Sequence, residues 1–232
     1  MMKGWKLILA TLIGSALVLT ALVYWQQSRQ PAELLTDTEQ TINGPLTADE
    51  QKVSNPVITN DMNPTAVFKT SMGVVEIELF ADQMPITTGN FISLAESGFY
   101  NGTKFHRVIE GFMVQGGDPN SKGNDESSYG TGGPEKNVQD EFVEGELLTN
   151  TRGTIAMANT GQPNSGGSQW FINLVDNTNL DFNKPPFTSK HPVFGRVIKG
   201  MDIVDAIGGV ETKGGDIPVT PVVIESIEIV KN

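Results

Sequence analysis

Few side chains of this 232-residue sequence could carry out nucleophilic or metal chemistry. The absence of Cys excludes disulfides, thiolate nucleophiles, Cys-type zinc sites and a lipidated Cys, and the only imidazoles are those of His106 and His191. A zinc site needs three or four ligands, so metal catalysis would depend on carboxylates in an unusual way. Counting leaves a Ser-His-Asp triad open, but no G-x-S-x-G elbow is present to hold its serine. The usual covalent mechanisms are therefore disfavoured.

Neither the glycine pattern nor the charge of the chain favours binding to phosphate groups. Glycine clusters occupy residues 130–133 and 165–168, but neither has the spacing of a phosphate loop that ends in Lys-Ser/Thr, so we interpret both as plain loops. The formal net charge is -11, and a chain this acidic repels a phosphate backbone. We therefore expect no nucleic-acid partner.

Four segments have a distinctive sequence: FHRVIEGFMVQGGD at 105–118, GTIAMANTG at 153–161, GSQWFINL at 167–174 and HPVFGRV at 191–197. In identity, order and approximate spacing they resemble the cyclophilin pattern F-H-R-x-I-x-G-F-M-x-Q-G-G-D, M-A-N, G-S-Q-F-F-I and H-x-x-F-G. The resemblance covers about residues 66–230. It implies a closed eight-stranded antiparallel β-barrel capped by two helices, with peptidyl-prolyl cis-trans isomerase activity on its outer face and no cofactor or metal.

Rotation about an X-Pro bond explains why such residues suffice. The barrier of about 18–20 kcal/mol comes from lost amide resonance, and no covalent bond needs to break. In the twisted transition state the proline nitrogen gains a lone pair, so a fixed donor aimed at it stabilises that state selectively. The resemblance assigns this role to Arg107, whose guanidinium stays charged and presents several N–H groups in a rigid fork.

The resemblance implies a complete site around Arg107. Gln115 is the second catalytic residue and is expected to position Arg107 and contact the substrate carbonyl, while His106 is expected to be structural. An apolar pocket for the proline ring, its rim and the groove that holds the neighbouring backbone complete the site. The substrate-binding residues are Phe112, Met113, Ala158, Asn159, Gln169, Phe171, Leu180 and His191.

Several of these residues also have a simpler interpretation. Any single aromatic residue of the pocket could be an ordinary core residue, and Arg107 could be a surface cation paired with the nearby Glu110. The sequence also departs from the family: Asn179 stands where a Trp contacts cyclosporin, so we expect weak binding of that drug. The segment 182–190 is longer and richer in proline than the short link common in the family, so the spacing between Asp181 and His191 departs from the family pattern.

Alternating hydrophobicity indicates a mainly β domain over residues 65–232. The runs 67–70 and 75–79 predict a hairpin with Glu76 and Glu78 on its solvent-exposed face. Helices are predicted at 85–97 and 201–207. Trp170 should point away from the face that carries Phe171, because neighbours in a strand alternate. Further strands are predicted at 105–108, 113–116, 154–158, 170–174, 193–198 and 222–230. Many short strands with only two helices favour a closed barrel.

The N-terminal residues predict a membrane anchor. Leu7 to Trp25 is an uncharged 19-residue stretch preceded by Lys3 and Lys6, which predicts a transmembrane signal-anchor within residues 1–25 and a cytoplasmic N-terminus. Residues 26–64, rich in Pro, Gln, Thr and acids, predict a flexible acidic linker. A cleaved signal peptide and a buried soluble helix are the alternatives.

Together these features predict a single-pass membrane protein whose domain isomerises X-Pro bonds of exported polypeptides outside the cytoplasmic membrane and so assists their folding. We expect proline-containing polypeptides as substrates, the membrane as a partner through the anchor, and a monomer. The alternative function is a proline-peptide binding or chaperone module whose catalysis is incidental.

Overall fold

The first two strands form the hairpin that the sequence predicts. The structure is a computed structural model, and it describes residues 63–231. Strands β1 (Thr65–Thr70) and β2 (Gly73–Leu79) pair antiparallel, and Val75, Ile77 and Leu79 of β2 are buried. The prediction that Glu78 faces solvent is wrong, because this residue is only 2% exposed. Because β2 also pairs with a second strand, the Glu78 carboxylate lies opposite Arg196 and accepts a 2.9 Å hydrogen bond from its Nε.

Eight strands form one antiparallel sheet, and two α-helices accompany it, which confirms the predicted mainly β fold. The strand order is β10-β1-β2-β7-β5-β6-β4-β3, while β8 and β9 form a separate two-stranded ribbon. The helices are α1 (Pro85–Glu96) and α2 (Met201–Gly208). The remaining strands are β3 (Arg107–Ile109), β4 (Met113–Gly116), β5 (Thr154–Met157), β6 (Trp170–Asn173), β7 (Val193–Lys199), β8 (Thr212–Lys213), β9 (Ile217–Pro218) and β10 (Ile224–Val230).

The sheet curls, but the predicted closure into a complete barrel is wrong. Within residues 63–231, the end strands β3 and β10 share no ladder. The segment before β3 instead reaches β10 through an isolated bridge between Lys104 and Val223. Ile224 N donates to Thr103 O at 2.8 Å, and Phe105 N donates to Val222 O at 3.0 Å. These hydrogen bonds form a short seam between the two ends of a half-barrel. Strand β3 has only three residues and does not itself pair with β10.

Trp170 lies at the centre of the core, as the alternation of β6 predicts. Its indole makes edge contacts with the rings of Phe68 and Phe105 at centroid distances of 5.3 and 5.7 Å. Phe171, the next residue, contacts a different ring, that of His191. Successive residues of β6 thus serve opposite faces of the sheet, and the face that carries Phe171 is available for a functional site.

The predicted anchor at residues 1–25 and residues 26–62 of the predicted linker lie outside the described residues. The last two linker residues are described: Asn63 Nδ2 donates to Glu78 Oε1 at 3.2 Å, and Pro64 O accepts from Leu79 N at 2.9 Å. From residue 63 to residue 231, neither helix combines the length and the apolar character that a membrane span needs.

Candidate functional site

Three neighbouring strands bring Arg107, Gln115 and Phe171 into one row. Arg107 of β3 lies directly opposite Gln115 of β4, and Gln115 lies directly opposite Phe171 of β6. Directly opposed residues of an antiparallel pair project to the same face, with strands about 4.8 Å apart. The row therefore places a guanidinium, a carboxamide and a phenyl ring side by side on the outer face of the sheet.

An apolar strip continues this row. Met113 lies two residues from Gln115 on β4 and so shares its face, and the Phe171 ring meets the His191 ring edge-on at a centroid distance of 5.4 Å. Leu180 lies beside His191, because its main-chain oxygen accepts from His191 N at 3.0 Å, and it is buried. Phe112, in the turn before β4, is half-buried. We call these five residues, Phe112, Met113, Phe171, Leu180 and His191, the apolar strip.

The His191 ring is held in one neutral form. Its Nδ1 lies 3.0 Å from Met157 O, and because a carbonyl oxygen only accepts, the Nδ1 atom carries the proton. Burial lowers the pKa of His191 below its ordinary value, and the Met157 hydrogen bond opposes this only in part. The imidazole is therefore uncharged near neutral pH and adds no second cation beside Arg107.

A chain of amides fixes the Gln115 side chain. Gln115 Nε2 donates to Gln169 Oε1 at 3.0 Å, and Gln169 Nε2 donates to Gly130 O at 3.0 Å and to Gly132 O at 2.7 Å. Since both glycine carbonyls are acceptors, the Gln169 amide can have only one orientation, and this fixes that of Gln115 as well. The Gln115 amide oxygen is left to face away from Gln169.

A cavity of about 460 Å³ lies beside the amide chain. It is lined by Gln115, Ala158, Asn159 and Gln169 of the predicted site, whereas no residue of the apolar strip lines it. Residues 130–133 form a loop, as the sequence predicts, and this loop forms another wall of the cavity. No described residue in its lining is charged. The predicted site thus divides into a polar cavity and an apolar strip, and Gln115 lines the cavity and lies opposite Phe171 of the strip.

Close packing explains why the cavity wall needs glycine. A Cβ atom at residue 132 would lie 2.2 Å from Asp118 Oδ1, and one at residue 167 would lie 2.9 Å from Pro134 Cδ. Asp118 is fully buried and its carboxylate also accepts from Asn120 N at 2.8 Å. The sequence signal for this wall was the glycine cluster itself, which matched no phosphate loop and so was assigned no role.

The side chain of Asn159 has a structural task in addition to its predicted role. Asn159 Nδ2 donates to Lys190 O at 2.7 Å, and its Oδ1 accepts from Gly161 N at 3.0 Å. The bond to Lys190 O ties the long segment 182–190 to the cavity wall, and the bond from Gly161 N fixes the Asn159 side chain locally. The backbone of Ala158 is fixed by a 3.0 Å hydrogen bond from its N to Gln169 O.

Arg107 has an ion-pair partner, but this partner is Asp216 rather than Glu110. Arg107 Nε donates to Asp216 Oδ2 at 3.2 Å, and both side chains are about half exposed, at 44% and 45%. His106, the residue before it, is 3% exposed and lies outside the row. Burial lowers the pKa of His106, against the raising effect of Asp118. Within residues 63–231 no group of three or more His, Asp or Glu side chains is arranged to hold a metal ion.

The sequence and the fold are both similar to those of known proteins. The family model described as "Cyclophilin type peptidyl-prolyl cis-trans isomerase/CLD" matches residues 65–229. Peptidyl-prolyl cis-trans isomerase A of Dickeya dadantii (strain 3937) is 40% identical over 181 residues, which cover 76% of this chain and 90% of that protein. Peptidyl-prolyl cis-trans isomerase B of Escherichia coli (strain K12) is 44% identical over 169 residues, covering 70% and 97%.

Among solved structures, a cyclophilin type peptidyl-prolyl cis-trans isomerase of Cryptosporidium parvum superposes with a TM-score of 0.61 at 29% identity, covering 73% of this chain and 99% of that one. The structure of the same protein in the presence of the dipeptide Ala-Pro gives a TM-score of 0.60 at 29% identity, covering 72% and 99%.

Proposed function

Because this chain belongs to the cyclophilin-type peptidyl-prolyl cis-trans isomerase family, we propose that Arg107 and Gln115 catalyse rotation of X-Pro bonds in exported polypeptides and so assist their folding. The chain is an isomerase of this type, and the proposal concerns its residues, clients and location. The observation that carries the residue roles is the cross-strand row of Arg107, Gln115 and Phe171.

The apolar strip is the binding surface for the proline ring. Met113 and Phe171 are almost wholly buried, at 2% and 5% exposure, so packing holds both side chains in place at the floor of this surface. A ring bound there carries the X-Pro bond toward Gln115 and Arg107 in the same row. The Cryptosporidium parvum relative, solved in the presence of Ala-Pro, supports a proline-containing peptide as the ligand.

Catalysis follows from the difference between the planar and twisted bond. Apolar surroundings remove water from the imide and so weaken its charge-separated resonance form. The Arg107 guanidinium then donates to the proline nitrogen, which has a free lone pair only when the bond is twisted. Gln115, with its amide oxygen turned away from Gln169, contacts the peptide beside the reacting bond, while Ala158 and Asn159 hold the preceding backbone.

Replacing Arg107 tests the residue roles directly. In a protease-coupled assay on a short Xaa-Pro peptide, Arg107→Ala should lower kcat/KM by about 10²-fold, the usual effect of removing one transition-state donor. Arg152→Ala is the matched control, because Arg152 is a similarly exposed Arg (46%) paired with Asp205. Equal rates for wild type and Arg107→Ala would refute the catalytic role and favour the alternative, a proline-peptide binding or chaperone module that uses the same surface.

The proposed location rests on the N-terminal sequence. The uncharged stretch from Leu7 to Trp25, with Lys3 and Lys6 before it, would hold the chain in the cytoplasmic membrane with the isomerase domain outside. Fractionating cells and sizing the mature chain tests this. Full-length chain in the membrane fraction supports an anchor, whereas a shorter soluble product supports cleavage of a signal peptide.

We also propose that cyclosporin binds this chain weakly. Asn179, which replaces the Trp of the family's drug contact, is exposed at the end of the strip beside Leu180. Asn179→Trp should increase inhibition by cyclosporin while leaving peptide isomerisation near the wild-type rate. Light scattering on the purified chain tests the expectation that it is a monomer.

A further inference from the structure

We propose that Asp216 is a positioning residue for Arg107: its carboxylate holds the guanidinium through Nε and thereby aims the Nη groups at the X-Pro bond. This inference rests on the proposed role of Arg107. It gives a role to the loop between β8 and β9, which lies outside the four sequence segments that resemble the family pattern.

Two hydrogen bonds join Asp216 to the strand that carries Arg107. The side chain accepts from Arg107 Nε at 3.2 Å, and the main-chain oxygen of Asp216 accepts from Val108 N at 2.8 Å. The second bond fixes the position of the Asp216 backbone against β3, so the carboxylate approaches the guanidinium from a defined side.

The ribbon holds Asp216 in a conformation suited to few residue types. Lys213 and Ile217 pair across a three-residue loop in which Gly215 has φ +81° and Asp216 has φ +60°. Only Gly, Asn and Asp adopt this left-handed region readily. The loop is also anchored from its other strand, since Lys213 Nζ forms a 2.8 Å ion pair with Glu126 Oε1. Asp216 is therefore a carboxylate on a fixed support.

The contact at Nε leaves the catalytic part of the guanidinium free. Arg has five N–H donors, and the hydrogen bond to Asp216 uses the single one on Nε. In the described part of the chain, neither Nη group of Arg107 has a hydrogen-bond partner. A long side chain that would otherwise sample several rotamers is thus held at Nε, and its four remaining N–H donors stay available.

Orientation outweighs charge neutralisation in this pair. Both side chains are about half exposed, so water and salt screen their attraction and the carboxylate removes little of the positive potential at the Nη atoms. For the same reason the pair adds little to the stability of the fold. Its loss should therefore appear in kcat rather than in the free energy of unfolding.

Two substitutions separate the carboxylate from the backbone. Asp216→Asn keeps the shape and tolerates the left-handed conformation but removes the charge, and Asp216→Gly tolerates φ +60° but removes the side chain. In the full-length chain we expect kcat to fall about fivefold in Asp216→Asn, near the upper limit for a half-exposed ion pair, and further in Asp216→Gly, with KM unchanged. High salt should lower the wild-type kcat toward the Asp216→Asn value.

Combination with Arg107→Ala identifies the route of the effect. If Asp216 acts through Arg107, Asp216→Asn has no further effect in the Arg107→Ala background. Asp205→Asn, which breaks the similarly exposed pair with Arg152, is the control and should leave kcat at the wild-type value. Urea unfolding of each variant confirms an intact fold.

The outcomes separate the two hypotheses. An inactive Arg107→Ala variant together with a wild-type or faster kcat in Asp216→Asn and Asp216→Gly overturns the positioning role and leaves the proposed function standing. An Arg107→Ala variant as active as wild type overturns the proposed function. A fall in kcat for Asp216→Asn that persists in the Arg107→Ala background also overturns the positioning role, because the effect would then not pass through the guanidinium.

Discussion

Gln115 and Gln169 are joined amide to amide, with Gln115 Nε2 donating to Gln169 Oε1 at 3.0 Å. The two donors of Gln169 are used by the carbonyls of Gly130 and Gly132, so this residue connects the row of Arg107, Gln115 and Phe171 to the glycine wall of the cavity. The amide of Gln115 thus owes its orientation to a neighbouring side chain and to a loop, not only to its own strand.

Gln169→Ala should impair catalysis without unfolding the protein. Gln115 would lose the acceptor that fixes its amide, and we expect kcat/KM to fall about tenfold, corresponding to one hydrogen bond of about 1.4 kcal/mol. The protease-coupled assay measures this, with Gln83→Ala as the control because Gln83 is exposed and lies before α1. A wild-type rate in Gln169→Ala would contradict a role for the amide chain.

The stability of the domain should fall as the pH is lowered through the ordinary pKa of histidine. Burial lowers the pKa of both His106 and His191, so the unfolded chain takes up protons at a higher pH than the folded chain. Their contribution is complete above the ordinary pKa of 6.5 and is lost as the pH falls below it toward the folded-state pKa. We expect a lower free energy of unfolding at pH 5.5 than at pH 7.5 on this basis.

Urea unfolding at a series of pH values provides the measurement. His191→Gln should flatten the curve between about pH 7.5 and 5.5, because one of the two groups no longer titrates. Stability that rises as the pH falls through this range would show that the folded state favours the imidazolium form, contrary to the burial of both rings.

The four motif segments were sufficient to assign Arg107, Gln115 and Phe171 to one site, because all three match positions of the family pattern. Alternation within β6 predicted that Trp170 and Phe171 point to opposite faces, and the hairpin and both helices were found from periodicity and from Pro and Gly at the helix ends. These features depend on neighbours within about ten residues, where propensity and side-chain direction act directly.

Contacts between distant residues could not be predicted in this way. Arg107 and Asp216 are 109 positions apart, and the nearer Glu110 was the better partner on sequence separation alone. The alternation of β2 predicts that Glu78 faces solvent. In the fold, Arg196 on the neighbouring strand offsets its charge and allows its burial. In each case a cross-strand partner, which only the fold supplies, decides the environment of a charge.

Glu141 is predicted to stabilise the start of α1. This helix has Met84 at its N-cap without a side-chain hydrogen bond and no acidic residue in its first turn. The Glu141 carboxylate supplies the missing acceptors, binding Ile86 N at 3.1 Å and Thr87 N at 2.8 Å. Glu141→Gln removes the charge that favours the positive end of the helix and one of the two acceptors, and should lower the free energy of unfolding by about 1–2 kcal/mol.

Chemical denaturation measures this loss, and Glu146→Gln, at an exposed position in the same segment, should change stability by less than about 0.5 kcal/mol. Because α1 lies outside the row of Arg107, Gln115 and Phe171, kcat/KM of folded Glu141→Gln should match the wild-type value. Equal stability for the two Gln variants would mean that water replaces the Glu141 cap.

Asn150 is predicted to support both the fold and the position of His191. Its side chain is fully buried and every polar group is used: Nδ2 donates to Asp181 Oδ1 at 2.8 Å and to His191 O at 2.9 Å, and Oδ1 accepts from Asn173 Nδ2 at 3.1 Å. The Asp181 carboxylate, 4% exposed, depends on such donors because burial deprives it of water.

Asn150→Ala should therefore lower the free energy of unfolding by about 3 kcal/mol, since it leaves a buried carboxylate and a buried amide each short of a partner. Loss of the bond to His191 O should also loosen the His191 ring against Phe171 and raise KM severalfold, while kcat changes less because Arg107 is untouched. Urea denaturation and the coupled assay give both quantities, with exposed Asn124→Ala as the control. A loss below about 1 kcal/mol would indicate that water enters and satisfies Asp181, in which case His191 is held by its own bonds to Met157 and Leu180.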